Sequence, residues 1–199
     1  MVKAIFILFL ITACVVFPLF LFYKIRGWNE KSVRFSLTLI PILWYFTNAP
    51  LHELSHMIAT FLVGGTVSEV VLFPKFWEGS FGNAYIHSTG VIGSLNFSIT
   101  SLFPYLVDVL FLVVGYFTLK KSNIKSAFMA GFVLMLFFLR PLFDIISNTS
   151  VALLLQVGDF VQLAEHIGTL PTITIGLALS TLALYMVIFT IKNSPTAHL

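Results

Sequence analysis

A chain of 199 residues that is 58% hydrophobic and 10% charged, with a mean hydropathy of +1.00, is not built like a water-soluble domain, in which about a quarter of residues carry charge. Its net charge of +3 and pI near 9.1 come from eleven Lys and Arg scattered between apolar runs, a pattern that forms no basic face and argues against a nucleic-acid partner. The lone cysteine, Cys14, excludes an internal disulfide.

The first apolar run, Ala4 to Tyr23, is long enough to cross a bilayer. MVKAIFILFLITAC ends in a lipobox-like Ile-Thr-Ala-Cys, but VVFPLFLF follows where a mature lipoprotein turns polar, so an uncleaved membrane helix is expected. Further spans are read at about 35–63, 89–119, 126–155 and 171–191. The second to fourth exceed the roughly 20 residues a bilayer requires and hold Pro41, Pro50, Pro104 and Pro141, which favours tilts and kinks. Between spans two and three, Gly64 and Gly65 stop a helix, and TVSEVVLF and GNAYIHS alternate as two strands of a hairpin would. The expectation is an all-α polytopic protein of the cell membrane. It has about five transmembrane helices, a short β-hairpin, and a single membrane-embedded domain over 1–199 with its core at about 35–155.

Orientation follows from the cations. Lys24, Arg26, Lys31, Arg34, Lys120, Lys121, Lys125 and Lys192 share one side; Lys3 and Lys75 fall on the other, and Arg140 is intramembrane. The positive-inside rule then puts the N-terminus outside and the C-terminus inside.

Span two contains HELSH, residues 52–56. On a helix His52 and His56 lie one turn apart on one face, where both imidazoles can bind one zinc ion. Glu53 points partly aside, where it can act as general base toward water. Ionisable residues in hydrocarbon are costly enough to be functional by default.

Zinc in a catalytic site takes three protein ligands, and the chain offers only Asp108, Asp144 and Asp159 as aspartates. At 1.5 Å per residue the histidines lie roughly 10–17 Å from the outer end of span two, Asp144 roughly 16 Å from that of span four, and Asp108 roughly 28 Å from that of span three. Depth thus favours Asp144, with Asp108 the alternative and Asp159, in the loop GDF, behind both. Arg140 precedes Asp144 by one helical turn and offers it an ion pair, yet it also sits near the level of Asp108, and an Asp108–Arg140 pair would free Asp144. Asn148, one turn after Asp144, and Asn96 in VIGSLNFS can orient a ligand, bind substrate carbonyls, or tie helices together. His87 and His166 are read as loop residues.

HELSHMIATFLVGGTV resembles the site-2 protease family of intramembrane zinc metalloproteases, with the zinc motif followed by an apolar stretch, a double glycine and a strand. VIGSLNFS and RPLFD (140–144) loosely resemble segments of that family's next two core helices, so the resemblance spans about 40–155. It implies a Zn2+ endopeptidase that cuts a membrane-spanning substrate protein in or near the lipid bilayer. The ligands would be His52, His56 and Asp144, the base Glu53, and the hairpin would grip an unwound substrate by strand addition. Asp144 is followed by Ile145 where the family has glycine. The rival readings are an inactive binding or regulatory protein of the same fold, a metal transporter, and a membrane hydrolase acting on lipid.

Overall fold

The computed structural model describes residues 2–73, 84–121 and 124–193. Helix α1 (Val2–Ile11) runs through a π-helical turn, Thr12–Val16, into α2 (Phe17–Arg26). Then follow α3 (Glu30–Leu62), β1 (Thr66–Val71), β2 (Tyr85–Thr89) and α4 (Ser94–Lys121). α5 (Ala127–Leu134) passes through a second π-helical turn, Met135–Leu139, into α6 (Arg140–Leu155), and α7 (Asp159–Ile167) and α8 (Thr169–Asn193) close the chain.

Both π turns have the same local cause. Pro18 and Pro141 each lie two residues beyond one, and proline has no N–H to give the carbonyl four residues back. The helix adapts just before each proline by bonding one residue further back: Phe17 N–H donates to Thr12 O and Arg140 N–H to Met135 O. Within α6, Arg140, Asp144 and Asn148 follow one another at one-turn intervals.

Four helical segments are long and apolar enough to cross a membrane: Ile5–Arg26, Ser94–Lys121, Ala127–Leu155 and Thr169–Asn193. The segment Ala127–Leu155 is the central one, with 72% of its most apolar stretch buried against 22–33% for the others. The outer helices turn Phe9, Leu106, Leu110, Leu177 and similar side chains outward, as lipid-facing surfaces do. α3 has the length to span and packs against α4, α5 and α6, but Asn48, His52, Glu53 and His56 interrupt its apolar run. It is not among the four, so four of the five expected spans are found among the described residues.

The expected hairpin is present. β1 and β2 pair antiparallel, with Thr66 opposite Thr89 and Val71 opposite Tyr85, and a bulge between Val67 and Glu69. The Ser68 hydroxyl donates to the His87 carbonyl across the bulge. β1 stops at Val71, two residues short of the end of TVSEVVLF, β2 runs on to Thr89, and residues 74–83, with Lys75 and the Gly82 and Asn83 of GNAYIHS, lie outside the described residues. Two glycines turn the chain out of α3. Gly64 takes φ +79°, and a side chain at Gly65 would come within 2.9 Å of Thr60 Cγ2.

Two corrections concern loops. His87 is a strand residue of β2, and His166 sits in α7 with its ring stacked on Phe97 at 4.8 Å. α7 itself was not expected. It is a nine-residue helix packed on α4, α6 and α8, burying Phe160 and Leu163.

Candidate metal centre

α3 delivers His52 and His56 one turn apart, with ring centroids 4.8 Å from each other. Their Nε2 atoms lie 3.1 Å apart. Asp159 Oδ2 completes the triangle, 2.9 Å from His52 Nε2 and 3.2 Å from His56 Nε2. These are the residues whose donor atoms cluster as metal ligands would.

The turn that returns Asp159 to the bundle is local. α6 ends at Leu155, Gln156 adopts a left-handed conformation at φ 54°, and Gly158 takes φ 98° and ψ −175°, a region open in practice only to glycine. The chain then re-enters at Asp159, the first residue of α7, which Tyr105 fixes by donating its hydroxyl to Asp159 Oδ2 at 2.8 Å. The Tyr105 ring stacks on Phe160 with centroids 4.6 Å apart.

The hydrogen-bond partners fix the state of both rings. His56 Nδ1 lies 2.8 Å from Thr100 O, a carbonyl that can only accept, so Nδ1 carries the proton. His52 Nδ1 lies 2.7 Å from Asp144 Oδ2 and donates to it. When a ring so bonded is neutral its Nε2 is a bare lone pair, and Asp159 Oδ2 is a further acceptor in the same small space. Burial alone would push the Asp159 carboxyl up, but positive charge and hydrogen bonds from the adjoining His56 and His52 rings, which need a proton on Nε2, outweigh this and hold it well below the usual carboxylate range. Three acceptors about 3 Å apart need a cation among them, either a proton on one ring or a metal ion. Around a tetrahedral zinc with bonds of about 2.0–2.1 Å, ligand atoms are about 3.3 Å apart. The separations found, 2.9 to 3.2 Å, fit that ion with small adjustments.

Asp144 therefore does not stand where the sequence reading put it. It reaches the site's depth, as expected, but meets His52 from the Nδ1 side, remote from the Nε2 triangle. There it holds the ring's tautomer and direction, the part an outer carboxylate plays behind a metal-bound histidine. Asn148 Nδ2 in turn donates to Asp144 Oδ1 and to Asp144 O, each at 3.1 Å, so it orients Asp144 and touches no ligand atom directly. Asn96 donates its Nδ2 to Ile92 O in the connection just before α4 and, among the described residues, joins neither group. Asp108, the alternative ligand, forms a buried ion pair with Arg140, and the Arg140 guanidinium lies over the Phe111 ring at 4.8 Å.

Glu53 is 9% exposed and makes no hydrogen bond to a described residue. It shares with His56 and Asp159 the wall of a cavity of about 200 Å³ between α3, α4, α7 and β2. Thr60, Ser88, Ser101 and Gln162 give that cavity a polar lining. A carboxylate with no hydrogen-bond partner among the described residues, facing polar space beside a cation-demanding triangle, is free to accept a proton from water. Comparison with protein-family models, curated proteins and solved structures finds no match to this chain.

Proposed function

We propose that this protein is a membrane-embedded zinc endopeptidase that hydrolyses a peptide bond of a membrane-anchored substrate, with α3 as a fifth span. The observation that carries the reading is the triangle of His52 Nε2, His56 Nε2 and Asp159 Oδ2, with Glu53 on the cavity beside it. His52, His56 and Asp159 would hold the ion, and Asp144 and Thr100 O would orient the two rings. A bound zinc ion supplies Lewis acidity, lowering the pKa of water and polarising a carbonyl.

The chain's own residues supply the rest. Glu53 takes the proton of the attacking water and can hand it to the leaving amine. The cavity has room for a short stretch of extended peptide. β2 lines it with Tyr85, Ile86 and Ser88, and among the described residues β2 pairs only with β1, which leaves its other edge for an unwound substrate. Among the described residues, the other carboxylate buried inside the spans, Asp108, is taken up in a direct ion pair with Arg140. That disfavours a transporter, which needs a chain of open sites across the membrane.

The test is Glu53→Gln in purified, reconstituted protein. Zinc content measured by mass spectrometry is expected to stay at the wild-type level while hydrolysis of membrane-anchored peptides disappears. Cleavage at the wild-type rate by Glu53→Gln would refute the mechanism, and metal-stimulated release of fatty acid from lipid without peptide cleavage would favour a lipid hydrolase.

A further inference from the structure

The up-and-down path of the chain sorts its charges by end. α2 closes on Lys24 and Arg26, α3 opens with Lys31 and Arg34, α4 closes on Lys120 and Lys121, Lys125 precedes α5, and α8 closes with Lys192. All eight belong to one end of the bundle. At the other end lie the C-terminus of α3, the hairpin, the start of α4, the end of α6 and all of α7. The candidate centre is nearest to that end, with His52 and Asp144 about 15–17 Å in along α3 and α6. His56 is six residues, about 9 Å along the axis, from the end of α3 at Leu62, and Asp159 follows α6 by only three residues.

The lipid boundary at that end is marked as well. The five most exposed large apolar side chains of the described residues are Leu62, Ile92, Leu95, Leu154 and Leu170, each 67–78% exposed. All five sit at helix ends or in the connections beside them, around the level where α3 and α6 stop. Exposed apolar residues in such a ring are stable in contact with lipid and costly in contact with water. The cavity beside Glu53 lies just inside this ring, and its polar wall runs from Ser101 in α4 out to Ser88 in β2 and Gln162, an exposed residue of α7.

Taken with the charge rule, which assigns the cationic end to the cytoplasm, we infer that the enzyme cuts its substrate at the extracytoplasmic membrane interface. The substrate class is a membrane-anchored polypeptide whose scissile bond lies in the extended stretch where it leaves the lipid on that side, rather than in the middle of a span or on its cytoplasmic flank. This rests on the peptidase reading above. It also removes a difficulty of that reading, because water enters the polar cavity directly from the near surface and needs no channel through half a bilayer.

Two measurements test it separately. In intact cells a membrane-impermeant maleimide should label Ser68→Cys in the hairpin, and should label Lys120→Cys at the cationic end only after permeabilisation; the wild type, with buried Cys14, is the blank. The reverse pattern overturns the inference and leaves the peptidase reading untouched. In proteoliposomes, single-span peptides carrying a randomised stretch at the outer flank, mid-span or inner flank should yield Glu53-dependent fragments at the outer flank, at least tenfold over the other two. Fragments confined to mid-span or the inner flank overturn the inference alone. Fragments in none of the three remove the peptidase reading, and the inference with it.

Discussion

Two charged groupings adjoin inside this apolar bundle, with Asp108 next to Asp144, and they meet the cost of buried charge in different ways. In one, Asp108 on α4 and Arg140 on α6 meet directly as opposite charges, with Asp108 Oδ2 and Arg140 Nε finding no hydrogen-bond partner among the described residues. In the other, two imidazoles and two carboxylates are arranged with their acceptors converging and a third carboxylate, Glu53, left open to a cavity. A direct ion pair holds helices together. A convergent set of lone pairs beside solvent invites a cation and a reactant. The contrast teaches that function in a membrane core is read from how charges fail to cancel, since burial alone is common to both groupings.

Substitutions can sharpen that contrast. The largest effect is expected from Glu53→Gln, with peptide hydrolysis falling about 10²–10⁴-fold, the range for loss of a general base, and zinc unchanged. Next is Asp108→Ala, which leaves Arg140 buried without its partner and should cost about 3–5 kcal/mol in reversible unfolding. The double change Asp108→Leu with Arg140→Met should recover most of that loss, and neither variant should shed zinc. Asp144→Asn should weaken zinc binding about 10–100-fold in competition with a chelator, because His52 loses its orienting carboxylate but keeps its Nε2. Smallest is Tyr105→Phe. It removes one charge-assisted hydrogen bond to Asp159, worth about 1.5–3 kcal/mol at most, and should weaken zinc binding by roughly tenfold with the fold intact. If Asp108→Ala lost metal while Asp144→Asn did not, the roles assigned to the two groupings would have to be exchanged.

The legible parts of the site were those carried by a single helix. HELSH announces itself because a spacing of four on an α-helix is a geometric statement, and Asn148 was tied to Asp144 by the same spacing. Matching levels along two helices was enough to pair Asp108 with Arg140. Depth, though, says nothing of direction around a helix axis. It brought Asp144 to His52 and could not tell the Nδ1 side of the ring from the Nε2 side. Asp159 was hidden for another reason: a stretch of nine residues is too short to register as a span and too charged to look buried. Its signal was there in GDFVQLAEHI, where a glycine and an acidic first turn precede apolar Phe160, Leu163 and Ile167 at helical spacing. Tyr105 had no signal, being one aromatic among many in an apolar helix. Four spans and the hairpin followed from hydropathy and alternation, whereas the π turns depend on what a proline does to a helix already formed.

The central claim is that Asp159, and not Asp144, completes the metal centre begun by His52 and His56. Zinc stoichiometry and affinity of the purified Asp159→Ala and Asp144→Ala variants, measured side by side with wild type, test it directly. The account predicts that Asp159→Ala purifies without zinc and that Asp144→Ala still binds it, more weakly; full zinc in Asp159→Ala with none in Asp144→Ala would contradict it.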